Sequence, residues 1–214
     1  MVHRRELNGE TLVFGNHGAL WGNAMTWWDT ETGSVWSQPI GEAILGPLKG
    51  ERLELLPSQV TNWREWREQH PETLALDAPG GRDRFSLASM AIVVALGDDS
   101  AAFPVSDLER SSVVNTTVNQ VPIAVVLVPG EAKWKVFSRQ LNDRVIELDL
   151  ASDGTLRSRD GAASFDPATG IALDGGQNLD QLPGFTSFPR DYATFYPQGR
   201  FVTADGEVLV ENSG

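Results

Sequence analysis

Apolar residues along this chain come in short stretches, cut roughly every 8 to 15 residues by pairs built from Gly, Asn and Asp. A helical face needs its apolar positions three or four apart over about ten residues, whereas a strand needs only about four to eight in alternation or in a run. The spacing therefore predicts strands at residues 10–14, 24–29 and 34–37. It predicts further strands at 91–96 and 101–105 around Gly97-Asp98-Asp99-Ser100, at 112–118 and 122–128 around Asn119-Gln120, and at 133–139 leading into 144–150. Asn8-Gly9, Asn142-Asp143, Asp153-Gly154 and Asp205-Gly206 read as hairpin turns. Very few residues precede Asn8, so the N-terminal hairpin is either ragged or has its edge covered by another element.

Helical spacing appears twice. Thr61 is a good N-cap, Trp63, Trp66 and His70 fall on one face, and Pro71 stops the run, which predicts a short helix over 62–70 with that aromatic face in the core. Near the C-terminus Ser187 or Phe188 caps, Pro189 sits early, and Phe188, Tyr192 and Phe195 line a second short helix ending before Pro197. The fold class is mainly β, a β-rich α+β arrangement of meander or barrel-like sheets with two short helices.

The chain also repeats itself. Asp29-x-x-Thr32-Gly33, Gly50-x-x-Leu53-x-x-Leu56-Pro57 and Thr61-x-Trp63 recur in order as Asp166-x-x-Thr169-Gly170, Gly176-x-x-Leu179-x-x-Leu182-Pro183 and Thr186-x-Phe188. Upstream, Arg5, Leu7 and Asn8 match Arg139, Leu141 and Asn142. Periods this long indicate duplicated subdomains and not a solenoid. The organisation expected is a Trp-rich first copy over 1–80, a connecting β meander over 81–138 and a shortened second copy over 139–214, in one globular unit. Residues 77–87, rich in Gly, Pro and Asp, read as the linker after the first copy.

A net charge of −12 and a sequence pI near 4.6 speak against nucleic acid, whose recognition needs a basic face. With no cysteine there is no disulfide, thiolate metal site, iron–sulfur cluster or cysteine nucleophile. The first residues carry no export signal, and the longest apolar run, 121–128, is interrupted by Pro122 and too short to span a bilayer. As written, the expected location is cytoplasmic, with no membrane partner; an extracytoplasmic location stays open if the chain is N-terminally shortened.

Six of the seven tryptophans precede residue 67. Trp21, Trp27, Trp28, Trp36, Trp63 and Trp66 therefore either fill the core of the first copy or line a groove for a small-molecule or glycan ligand. Asp29 and Glu31, with His17 nearby, are the carboxylate and imidazole candidates for acid–base work; the alternative is that Asp29 accepts amides of its own turn. His3, His17 and His70 are not spaced for a metal, no calcium loop or nucleotide motif occurs, and neither a metal nor a cofactor is expected. Asn115-Thr116-Thr117 is formally a glycosylation acceptor.

Taken together, Asp29, Thr32, Ser34, Trp36 and Gln38, the segments Gly41 to Ile44 and Gly46 to Leu48, then Gly50, Leu53, Pro57, Thr61, Trp63, Trp66, His70 and Pro71 resemble a bacterial and archaeal family known as domain of unknown function 3179. Phe195-Tyr196-Pro197 is similar to that family's closing signature. The resemblance implies a further upstream block with a Cys-Pro-Leu-Cys-like run and a His-Glu followed by Asn-Asp. That block is missing here, and the later counterpart keeps only Asn115. It implies no activity. The reading is a non-catalytic structural or ligand-binding module; the alternative is a hydrolase acting on a glycan or small ester through Asp29, Glu31 and His17. Homo-oligomerisation through the N-terminal edge is a third expectation.

Overall fold

A computed structural model describes residues 1–58, 60–61, 63–74, 86–128, 133–205 and 208–209. The linker expected at 77–87 lies outside the described residues as far as residue 85, as does Gly206 of the last expected turn.

The chain opens with β1 (Glu6–Leu7) and β2 (Glu10–Thr11), joined at Asn8-Gly9 with both residues at positive φ, as a primed two-residue turn requires. A four-stranded antiparallel sheet follows, made of β3 (Phe14–Trp21), β4 (Ala24–Asp29), β5 (Val35–Ser37) and β6 (Glu42–Leu45) in sequence order. Helix α1 (Trp63–Gln69) comes next. Its aromatic face differs from expectation: Trp63 and His70 are exposed and Trp66 only half-buried. The Trp66 ring lies 4.0 Å from that of His70 and its Nε1 donates to Thr73 Oγ1, so the stripe packs largely on its own helix and the turn after it.

After a 3-10 turn at Leu87–Ser89, β7 (Ala91–Leu96) and β8 (Asp99–Pro104) form a hairpin turning at Gly97-Asp98. Then comes α2 (Val105–Ser111), a helix not expected from the sequence. The apolar run 101–105 predicts Val105 at the end of a strand. In fact Val105 and Leu108, three apart, are buried on one helical face, and Ser112 ends the helix in the left-handed conformation.

Strands β9 (Val113–Val118), β10 (Val121–Leu127) and β11 (Trp134–Ser138) make an antiparallel sheet in the order β11-β10-β9. Next are the hairpin β12 (Gln140–Leu141) and β13 (Arg144–Val145), and the small sheet β14 (Leu148–Leu150), β15 (Leu156–Ser158) and β16 (Ser164–Phe165). The chain ends with β17 (Phe185–Ser187), α3 (Pro189–Phe195), β18 (Arg200–Val202) and β19 (Val208–Leu209), which complete a sheet in the order β17-β7-β8-β18-β19. Only β8 and β18 pair parallel in it. The protein is β-rich with several open sheets; no sheet closes into a barrel, and there are three α-helices, not two, among the described residues.

Strand β10 shows why the core divides as it does. Its side chains alternate, so Ile123, Val125 and Leu127 pack with Ile92, Phe103 and Leu108, while Ala124 and Val126 pack with Phe137, Leu148, Phe165 and Leu179. A third cluster on the far face of β7 and β8 holds Val93, Phe185, Tyr192 and Phe201. A fourth, in the N-terminal segment, holds Leu12, Trp36, Ala43 and Leu53.

The segments 2–56 and 136–182 share a pattern of backbone bonds. Leu12 N–H donates to Arg5 O and Ile146 N–H to Arg139 O; Arg4 N–H to Glu54 O and Ser138 N–H to Asp180 O; Leu56 N–H to Val2 O and Leu182 N–H to Val136 O; Leu53 N–H to Gly41 O and Leu179 N–H to Gly170 O. Trp36 pairs with Ala43 as Phe165 does with Ala172. In this pattern the two Asp-x-x-Thr-Gly turns occupy successive connections and not equivalent ones. Gly170 N–H bonds to Asp166 O where Gly41 N–H bonds to Ser37 O, and Asp29 N–H bonds to Ser34 O where Ser158 N–H bonds to Ala163 O.

Candidate functional site

Between the N-terminal segment and the sheet carrying β7 and β8 lies a cleft of about 440 Å³. Five separated stretches build it: His3, Pro39 with Ile40, the residues Leu53 and Leu55, the β7–β8 turn with Asp98, Asp99 and Ser100, and the loop after α3 with Tyr196, Pro197, Gln198 and Gly199. Pro197 ends α3 by withholding an N–H from its ladder, which turns this loop into the cleft.

Each wall is held by specific bonds. The Tyr192 and Tyr196 rings stack with centroids 5.5 Å apart, the Tyr196 hydroxyl donates to Pro39 O at 3.3 Å, and Tyr192 Oη lies 3.0 Å from Ser100 Oγ. Gly199 is required here, because a Cβ at that position would lie 2.0 Å from Tyr192 Oη and 2.6 Å from Ser100 Oγ. Asp99 joins three elements: one carboxylate oxygen accepts from Arg200 Nη1 at 2.5 Å and the other from Asn119 N–H at 2.7 Å. Burial would raise the Asp99 carboxyl, but those donors outweigh it and hold the group below the usual carboxylate range.

His3 contributes an imidazole whose pKa burial pushes below its ordinary value, against the partial compensation of the Gln38 carbonyl. Its Nε2 lies 3.0 Å from Gln38 O, so the neutral ring donates there, and Nδ1 is buried without a hydrogen-bond partner among the described residues. Gly41 leaves room for this ring; a Cβ there would sit 2.7 Å from it. Arg52, at the cleft edge, is paired with Glu42 at 2.8 Å. The cleft thus offers aromatic and aliphatic walls with carboxylate, amide and imidazole groups at its rim. The Ser100 hydroxyl is engaged with Tyr192.

The residues singled out from sequence fall elsewhere. Asp29 is fully buried, with one oxygen accepting from Thr32 N–H at 2.6 Å and Thr32 Oγ1 at 2.8 Å, and the other from Trp36 Nε1 at 2.7 Å. Glu31 is spent on Val13 N–H and Thr30 Oγ1, and His17 Nδ1 lies 3.1 Å from Thr26 Oγ1. No hydrogen bond or ion pair joins Asp29, Glu31 and His17 among the described residues.

Nor do the tryptophans share one surface. Trp36 is wholly buried, Trp27 packs edge-on to His3 and against Phe14, Trp28 is exposed with its indole over Gly15, and Trp63 and Trp66 lie on α1. Trp21 touches the Phe195 ring at 5.4 Å and, with His17, lines a shallower depression on the β3–β6 sheet. No spacing along the chain marks His3 or the loop of Tyr196 as site residues. Among the described residues no group of three His, Asp or Glu side chains is placed to hold a metal ion, and no helix is long and apolar enough to cross a membrane.

These features define a β-rich protein with a tryptophan-bearing N-terminal module docked on a central sheet. Residues 1–87 match the family described as protein of unknown function DUF3179, which bears out the resemblance carried by Asp29 to Pro71. The matched segment supplies one wall of the cleft, and Tyr196 and Gln198 lie beyond it. No curated protein and no solved structure matches the chain.

Proposed function

We propose that this protein is a non-catalytic binding module whose cleft takes a small ligand with an apolar face and several hydroxyls, of the size of a mono- or disaccharide. The observation that carries this is the cleft itself. Its volume of about 440 Å³ falls in the range of small-molecule sites, and its walls combine the Tyr196 and Phe195 rings and Leu53 with the polar Asp98 and Gln198. Aromatic faces pack on the C–H face of a sugar, while carboxylate and amide groups accept and donate to its hydroxyls. A binding role fits better than hydrolysis because Asp29, the buried carboxylate, already has both oxygens occupied by its own turn and by an indole.

The test is isothermal titration of the full chain with a panel of neutral mono- and disaccharides. The variants Asp98→Ala and Gln198→Leu, both at the rim, should fold normally and lose at least tenfold in affinity for whichever sugar binds. Binding unaffected by both substitutions, or no binding across the panel, overturns the proposal.

A further inference from the structure

We propose a second binding site, on the long β3–β4 hairpin, for an amphipathic carboxylate: a molecule with one apolar chain, a hydroxyl or amide N–H, and a single carboxylate head. An N-acyl amino acid is the simplest such molecule. The site is separate from the cleft and does not depend on what the cleft takes.

The hairpin is longer than its module needs. In the C-terminal copy Leu148, Asp149 and Leu150 pair with Ser158, Arg157 and Leu156, and residues 151–155 close the hairpin. In the N-terminal copy Phe14, Gly15 and Asn16 pair with Asp29, Trp28 and Trp27 on the matching rungs, but residues 17–26 then continue as a bulge and two further rungs, Leu20 with Met25 and Trp21 with Ala24. No side chain of this extension joins the apolar cluster of Leu12, Trp36, Ala43 and Leu53. Its tip is nonetheless fixed, since Trp21 packs on Phe195 with centroids 5.4 Å apart and a Cβ on Gly22 would meet the Phe195 ring at 2.9 Å. A hairpin extended for structure alone turns polar side chains to water. This one leaves Leu20 70% and Trp21 45% exposed.

The bulge orients a histidine. His17, Gly18 and Ala19 together oppose Thr26 alone. The Thr26 hydroxyl donates to Ala19 O at 2.8 Å, so its oxygen accepts from His17 Nδ1–H at 3.1 Å. That bond sets the tautomer of the neutral ring and leaves Nε2 as an acceptor with no partner among the described residues.

His17 and Thr26, with Leu20, Trp21, Leu45 and Lys49, line a depression of about 520 Å³. Leu45 is 62% exposed, so large apolar side chains gather in a concave place, the mark of a binding surface. Lys49 supplies a cation in a chain of net charge −12, and no carboxylate pairs with it among the described residues. Glu42, which also lines the depression, is matched by Arg52 at 2.8 Å.

These groups specify the ligand. Its chain covers Leu20, Trp21 and Leu45, its carboxylate pairs with Lys49, and its O–H or N–H donates to His17 Nε2. A lone ammonium matches a monoanion; a dianionic phosphate would leave surplus negative charge beside Glu42.

The probe is N-decanoylglycine, titrated calorimetrically into the full chain below its micellar concentration. Two analogues accompany it: N-decanoylglycinamide, which lacks the charge, and decanoate, which lacks the N–H. Saturable binding of the acylglycine is expected, with each analogue about tenfold weaker or more. Lys49→Met should remove the advantage over the amide and His17→Phe the advantage over decanoate, while Leu20→Asp should abolish binding of all three. Because these side chains are exposed, the thermal midpoints of the variants should stay close to that of the wild type, which separates lost binding from lost folding. No binding, or equal binding of the three compounds, overturns the proposal. So does self-association in sedimentation that Leu20→Asp abolishes, which would assign the patch to a second copy. Adsorption to phosphatidylcholine vesicles that the same substitution prevents would assign it to a lipid surface and overturn the proposal equally.

Discussion

The carboxylate of Asp29 accepts a hydrogen bond from the indole Nε1 of Trp36 at 2.7 Å, with both residues fully buried. The pair ties the β4–β5 turn to the centre of the N-terminal core, and the remaining oxygen closes the turn through Thr32. Burial alone would raise the Asp29 pKa, but the bonds from Trp36, Thr32 and Gly33 outweigh it, and the net shift is downward. A depressed carboxyl pKa stabilises the fold above its unfolded value of 3.8, and that stability is lost as pH falls through the still lower folded value. Asp29→Ala should cost about 2–3 kcal/mol at neutral pH, because it leaves the indole N–H buried and unpaired. Urea denaturation at pH 7 and again below pH 3.8 should show the wild type losing its advantage over the variant in acid. A variant as stable as wild type at pH 7 would return Asp29 to the list of candidate reactive groups.

Arg139 and Arg5 stand at matching positions with opposite surroundings, and their truncations should differ accordingly. Arg139→Ala removes the donor for three backbone carbonyls and Glu147, so a cost of about 3 kcal/mol or more is expected. Arg5→Ala should change stability by less than about 0.5 kcal/mol, as for an exposed surface residue. Guanidinium denaturation of both variants measures the contrast. Equal losses would mean that Arg5 already has a structural partner.

What was legible in the sequence was local. Asn8-Gly9, Asn119-Gln120 and Asn142 all take the positive φ that their hairpins require, because the preference is carried by the turn residues themselves. The Asp-x-x-Thr-Gly turns were legible for the same reason, and misleading for the same reason: identical turn chemistry serves two successive connections, so the motif matches while the register does not. Helix α2 was hidden because a seven-residue segment with a β-branched start carries little helical periodicity, and its buried face is set by neighbouring strands. The cleft was not legible at all. His3, Leu53, Asp98 and Tyr196 meet only through tertiary packing, and neither their types nor their spacings along the chain announce that meeting.

The cleft wall can be read through its tyrosines, since Tyr192 and Tyr196 are the only two in the chain. Burial pushes Tyr196 up to about 12, with the neighbouring Tyr192 adding to the shift and Arg52 opposing it; Tyr192 is also raised, by burial first. A raised phenol pKa stabilises the fold fully below the unfolded value near 10, and this contribution disappears as pH rises through about 12. Absorbance at about 295 nm should therefore show less phenolate in the native protein at pH 10 than in the unfolded chain in urea, which is half ionised there. Tyr196→Phe should flatten the loss of stability between those two pH values while removing the bond to Pro39 O. If half of the tyrosine signal instead ionises near pH 10 in the folded protein, one ring is open to solvent and the packed wall between α3 and the N-terminal module does not exist in solution.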